Sequence, residues 1–190
     1  MASRPRPRKS LGKHFLSDTR ILNRIVDALD PSPEDVVIEI GAGTGALTRV
    51  LTPRVGRVIA IEKDRRLAHE CGVRNAECGI QRATIVEGDA RTLDWHALLV
   101  PLPAVPHSAF PTPHFKVVGN IPYNLTSPLI DKALSPPLPE RIVFLLQNEV
   151  ADRIAARPGS KTYGGLSVGI QALCQIEKLF TVKAGAFWPR

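Results

Sequence analysis

Val36-Val37-Ile38-Glu39-Ile40-Gly41-Ala42-Gly43-Thr44-Gly45 passes from a β-branched apolar run straight into a glycine-dense turn, and Ala46-Leu47-Thr48-Arg49-Val50-Leu51 follows as a helix. A short run of this kind suits a strand buried on both faces of a parallel sheet. Glycines let the backbone approach a ligand closely, and the helix N-terminus behind them adds partial positive charge. Strand, glycine turn and helix in this order form the nucleotide-binding start of an α/β fold, a mostly parallel doubly wound sheet with helices on both faces.

Outward from this stretch, the same pattern repeats. Arg57-Val58-Ile59-Ala60-Ile61 reads as a second strand ending in Glu62, an acid about 20 residues past the glycines and so placed to bind the two hydroxyls of a ribose. Ala83-Thr84-Ile85-Val86 is a third strand with Gly88-Asp89-Ala90 at its end, where Asp89 can accept a hydrogen bond from an adenine amino group. Gly41, Gly43 and Ala46 also satisfy the dinucleotide fingerprint with alanine in its last place, so this turn alone leaves NAD open. A sulfonium cofactor is favoured by Glu39 before the turn, Gly45 within it, Asp89 at the third strand and the segment after the fourth, taken together.

That segment is Asn120-Ile121-Pro122-Tyr123, directly after Val117-Val118-Gly119. An adenine amine is a weak nucleophile because its lone pair is delocalised into the ring. A site that accepts both of its N–H bonds localises that pair, and Asn120 with the Ile121 carbonyl supplies two acceptors. Pro122 pushes the residue before it toward extended geometry, and Tyr123 offers a stacking face worth roughly 1–3 kcal/mol per base. A strand ending in a proline turn is the competing reading.

The rest of the chain frames these motifs. Asp18 or Ser17 is expected to cap a helix carrying Ile21, Leu22, Ile25, Val26 and Leu29, ended by Pro31 and Pro33. Residues 97–115 hold five prolines and read as a surface loop, with His107 and His114 solvated rather than ligands. Thr126 or Ser127 is expected to cap a helix with Pro128 in its first turn. Arg141–Leu146 reads as a fifth strand, Gln147 begins a helix reaching Arg157, Leu166–Cys174 is a packed helix and Leu179–Val182 a sixth strand.

With 190 residues, 44% hydrophobic and 23% charged, the chain fits one domain of ordinary size. Without an apolar run of about 20 residues or a signal-peptide core, a cytoplasmic protein with no membrane contact is expected. Cys71, Cys78 and Cys174 lack metal-ligand spacing and are expected to be buried free thiols, with no metal site. Arg4, Arg6, Arg8, Lys9, Lys13, Arg20 and Arg24 face only Asp18 in residues 1–24 and carry nearly all of the net +7. Such an arm, with Pro5 and Pro7, suits contact with the phosphates of a nucleic acid.

Assembled, these residues resemble the KsgA-type ribosomal RNA adenine dimethyltransferases. The anchors are Leu11-Gly12-Lys13-His14-Phe15-Leu16, Glu39 to Gly45, Gly88-Asp89-Ala90, Asn120 to Tyr123, Gln147-Asn148-Glu149-Val150 and Pro158 to Gly164, the last being closer to the ribosome-assembly enzymes than to the macrolide-resistance enzymes that modify large-subunit rRNA. The resemblance implies a Rossmann-like class I S-adenosylmethionine-dependent methyltransferase. Its activity would be N6,N6-dimethylation of two adjacent adenosines near the 3′ end of small-subunit rRNA, as a monomer acting on that rRNA or a pre-small-subunit particle. A large-subunit rRNA methyltransferase, a DNA adenine methyltransferase and a non-catalytic RNA-binding assembly factor are the rival readings. The resemblance further implies that His14, Leu16, Gly41, Gly43, Glu62, Asp89, Ala90 and Asn120 hold the cofactor. Phe187 would face Tyr123 across the target base, completing a catalytic set with Asn120, Ile121 and Pro122. It also implies a basic arm at 1–10 and a catalytic domain at 11–190, lacking the family's last strand, which inserts between the fifth and sixth, and its C-terminal helical domain. The family often has Gln-Asn where this chain has Lys13-His14.

Overall fold

The computed structural model describes residues 15–99 and 114–188. The arm at 1–10, His14, His107 and most of the proline-rich segment lie outside these residues.

Five parallel strands form the main sheet: β2 (Val36–Ile40), β3 (Arg57–Glu62), β4 (Ala83–Glu87), β5 (Phe115–Asn120) and β6 (Arg141–Leu145), in the spatial order β4-β3-β2-β5-β6. Between β2 and β5 the winding reverses, which opens a crevice at the carboxyl ends of these two strands. The glycine turn follows β2 and the Asn-Ile-Pro-Tyr segment follows β5, so the two motifs meet at this crevice. The register pairs Ile40 with Gly119. A Cβ on Gly119 would stand 2.8 Å from the Ile40 carbonyl oxygen, so only glycine lets the strands lie this close.

Side chains of β2 alternate between two cores. Val37 packs with Leu22, Ile25, Val26 and Leu29 of α1 (Thr19–Leu29), with Leu51 of α2 (Ala46–Leu51) and with Cys71 of α3 (Arg65–Glu77). Val36, Ile38 and Ile40 pack on the opposite face with Trp95 and Leu99 of α4 (Trp95–Leu99) and with Leu129 and Ala133 of α5 (Thr126–Ala133). Helices therefore cover both faces, as expected from the β-branched runs. A smaller cluster joins Ile130 to Ile154 of α6 (Asn148–Ile154) and Ile170 of α7 (Gly165–Gln171).

Local chemistry accounts for the ends of α1. The Asp18 carboxylate accepts the Arg20 N–H at 2.9 Å, and Asp30 closes the helix in the left-handed region with φ 52°. The Asp30 carbonyl is satisfied by Lys116 Nζ at 2.6 Å, and the same ammonium pairs with Asp35 at 2.8 Å. Both members of that pair are buried, at 4% and 6% exposure.

Several expectations are corrected. Residues 179–182 form no strand: Phe180 is held under the Arg24 guanidinium, 3.8 Å from its ring centroid, and packs on the α1 core, so β6 is the edge of the sheet among the described residues. The loop expected over 97–115 gives way at its ends to α4 and β5. Thr126 does not cap α5 but donates its hydroxyl to the Pro122 carbonyl, and α6 stops before Arg157. Of the three thiols only Cys71 is fully buried, Cys78 being exposed and Cys174 half-buried. Among the described residues no helix is long and apolar enough to cross a membrane.

Candidate functional site

The glycine turn takes a shape that side chains resist. Gly41, Gly43 and Gly45 have φ of 78°, 55° and 74°. This left-handed backbone folds the turn onto the strand ends, where the Gly41 and Ala42 N–H groups donate to the Ile61 carbonyl at 2.8 and 3.2 Å. A Cβ on Gly41 would lie 3.8 Å from the Asn120 carbonyl oxygen, which places the turn against the β5 terminus. A Cβ on Gly43 would lie 3.1 Å from the ring of Phe15, so an aromatic wall stands directly over the turn.

Phe15 arrives there through a pairing that links the two ends of the described chain. β1 (Phe15–Leu16) runs antiparallel to β7 (Phe187–Trp188), with Phe15 opposite Trp188 and Leu16 opposite Phe187. Leu16 is buried in the α1 core at 7% exposure, and Phe187 packs half-buried beside it.

Glu62, at the end of β3, is buried and fixed by backbone donors. One oxygen accepts the Gly43 N–H at 2.9 Å and the other the Asp64 N–H at 2.8 Å. An ionised carboxylate has about four acceptor positions, so this one suits vicinal sugar hydroxyls as well. Asp89 lies beyond the end of β4, its carboxylate held by Arg91 and Lys63. The Arg91 side chain first, and then its backbone N–H and Lys63, hold the Asp89 carboxyl well below the usual carboxylate range. Ala90 is buried next to it and contributes a carbonyl to the Trp95 indole N–H at 2.8 Å.

Beneath the turn, Glu39 is 1% exposed and accepts the Thr48 hydroxyl at 2.6 Å. Burial pushes its carboxyl up to about 7, helped by the nearby Glu62 charge and opposed by the Thr48 hydrogen bond. The folded protein thus holds a proton that the unfolded chain releases near 4.5, and stability is expected to fall as pH rises from about 4.5 to about 7. Glu39→Gln keeps the Thr48 bond and is expected to flatten that slope, which urea midpoints measured across this range would read.

Leu16, Gly41, Gly43, Glu62, Asp89, Ala90, Asn120, Ile121, Pro122, Tyr123 and Phe187 all line one continuous cleft of about 2480 Å³. Ligand pockets usually hold about 300–1,000 Å³. The excess arises because the cleft extends between the outer edge of β6 and residues 173–182. Ile121 is buried and donates its N–H to the Leu145 carbonyl at 3.0 Å, which ties the segment to β6. Pro122 has φ −59°, and Tyr123 presents its ring to solvent at 67% exposure. Phe15, Lys63 and Arg91 also line the cleft and are absent from the set expected from sequence. Phe15 lies within a motif read there, but nothing local in sequence shows that it covers Gly43.

A doubly wound sheet with an acid-anchored glycine turn beside an Asn-Ile-Pro-Tyr terminus defines a class I methyltransferase fold. The model of the family described as "Ribosomal RNA adenine dimethylase" matches residues 5–190, and the chain belongs to this family. It is 44% identical to "Ribosomal RNA small subunit methyltransferase A" of Nostoc punctiforme over 97% of this chain and 66% of that protein. It is 42% identical to the protein of the same name from Nitrosococcus oceani over 97% and 66%. The chain thus spans just under two thirds of the length of these relatives. Among solved structures, a dimethyladenosine transferase from Plasmodium falciparum superposes with a TM-score of 0.78 at 33% identity, covering 93% of this chain and 58% of that one. The 23S rRNA methyltransferase ErmE gives a TM-score of 0.63 at 30% identity, over 76% and 52%.

Proposed function

We propose that this protein transfers methyl groups from S-adenosylmethionine to the N6 amines of two adjacent adenosines near the 3′ end of small-subunit rRNA, a step of ribosome assembly in the cytoplasm. The observation that supports this reading is the junction of the glycine turn and Asn120 at one crevice, an arrangement suited to a nucleoside cradle beside a base clamp. The names of the relatives favour the small subunit over the large one. When bound, the cofactor supplies an electrophilic methyl on a positively charged sulfur.

The protein's own residues supply position. Gly41 and Gly43 leave room for the cofactor, Leu16 and Phe15 wall its methionine side with His14 expected beside them, Glu62 takes the ribose hydroxyls, and Asp89 with Ala90 borders the adenine. Asn120 and the Ile121 carbonyl accept the two N–H bonds of the target amine, and Pro122 fixes the direction of that carbonyl. Tyr123 and Phe187 stack on the two faces of the base. No strong base is required, because the amine loses its proton to solvent after attack, and alignment of the reacting atoms can supply about 7–11 kcal/mol. A base inside a helix cannot enter, so the target is unpaired or flipped out. The basic arm at 1–10 is assigned to RNA phosphates.

Calorimetry with S-adenosylmethionine and NAD, paired with tritium transfer into undermethylated small subunits and duplex DNA, tests the reading. Binding of S-adenosylmethionine and labelling of the subunits are expected. Binding of NAD alone would overturn the cofactor, and labelling confined to DNA would overturn the substrate.

A further inference from the structure

Asp89 is more fully engaged than an open acceptor for adenine ought to be. Its Oδ1 accepts the Arg91 backbone N–H at 3.0 Å and Arg91 Nε at 3.1 Å, while Oδ2 accepts Arg91 Nη2 at 2.6 Å and Lys63 Nζ at 3.0 Å. These donors fill the roughly four acceptor positions of a carboxylate. The backbone around them is held: Thr92 and Leu93 N–H groups both donate to the Asp89 carbonyl at 3.0 Å, and Lys132 Nζ donates to the Arg91 carbonyl at 3.2 Å. The two cationic side chains are different, with 39% and 56% of their surface exposed to solvent. A fixed turn thus presents a carboxylate covered by movable cations, on the wall of the cleft.

The geometry points to a cationic latch on the purine site: Arg91, backed by Lys63, occupies the edge of Asp89 that a 6-amino group needs, and these two residues set the affinity and base selectivity of the cofactor cradle. The inference rests on the adenosyl reading above and goes beyond it, since it concerns residues that this reading leaves unused. An entering adenine replaces a cationic donor on Asp89 with a neutral N–H and so gives up the charge–charge attraction of the ion pair, which is how the latch lowers affinity. Because exposed ion pairs are weak, the exchange remains accessible. The latch also changes what is rejected. A 6-oxopurine presents an acceptor, which a bare Asp89 carboxylate repels but the Arg91 fork or the Lys63 ammonium welcomes.

The test is calorimetric titration of S-adenosylhomocysteine, and of its analogue with hypoxanthine in place of adenine, into the wild type, Arg91→Ala, Lys63→Ala, Asp89→Ala and the Arg91→Ala/Asp89→Ala pair. Arg91→Ala is expected to bind S-adenosylhomocysteine about two- to five-fold tighter and the 6-oxo analogue no better or more weakly. Lys63→Ala should move the same way by less. The gain should vanish when Asp89 is also alanine, which separates the latch from a general change in charge. Equal or weaker binding of S-adenosylhomocysteine by Arg91→Ala, with wild-type binding intact, overturns the latch alone. If neither compound binds the wild type or any variant while all melt normally, the adenosyl reading falls and the latch with it.

Discussion

Asn120→Ala is expected to lower the rate of methyl transfer by roughly 10²–10³-fold while leaving the cofactor dissociation constant within a few-fold. The size follows from what is removed: a preorganised polar group aimed at the reacting centre, whose loss typically costs that much in kcat. Asn120 is only half-buried and sits at the end of β5, where the strand has already paired with β2 and β6. Truncating its side chain therefore leaves the sheet intact, and the glycine turn and Glu62 keep their own hydrogen bonds. Tritium incorporation into undermethylated small subunits reads the first quantity and calorimetry the second. Unchanged incorporation would remove Asn120 from the chemistry, and loss of cofactor binding in proportion to rate would make it a cradle residue instead.

The second large effect lies at the other end of the sheet. Lys116→Met is expected to destabilise the fold by about 3–5 kcal/mol, because it strands a buried Asp35 without its counter-charge. It also removes the donor to the Asp30 carbonyl, which closes α1 in the left-handed region. Asp35 keeps the Ser32 N–H at 2.7 Å, one donor for a carboxylate that loses its cation. Adding Asp35→Asn to Lys116→Met is expected to recover most of the loss, since the asparagine carries no charge to strand. Urea unfolding of the single and double variants measures both. A double variant as unstable as the single one would assign the cost to the lost Asp30 contact. Cofactor affinity should be unchanged in either, because the pair lies at the strand ends opposite the crevice.

Much of the architecture was legible because its signals are local. The run from Val36 to Gly45 fixes strand, turn and helix within ten residues, and the acids at 62 and 89 fall at strand ends where register places them in the cleft. Asn120 to Tyr123 is likewise contiguous. The features that escaped depend on contacts between distant residues or on weak periodicity. Helix α3 buries only Leu67, Ala68, Cys71 and Asn75, so its inward stripe contains a thiol and an amide and lacks a strong apolar pattern. Leu179 to Val182 has strand-like composition, but a strand needs a partner, and Phe180 is engaged by Arg24 instead. The cations on Asp89 come from the ends of two different strands, and no spacing rule joins Lys63 to Arg91. Thr126 looked like a cap because its residue type suits one, yet its hydroxyl is spent on the Pro122 carbonyl.

The antiparallel pair of β1 and β7 has a consequence for the order in which the molecule matures. Contacts between residues far apart in sequence must overcome loop-closure entropy before they return any stability, so they form late. During synthesis the glycine turn, Glu62 and Asp89 emerge well before Phe187 does. Phe15 can meet Trp188, and Leu16 can meet Phe187, only after nearly everything between them has left the ribosome. A nascent chain therefore carries a cradle with no roof until Phe187 and Trp188 have emerged to pair with Leu16 and Phe15.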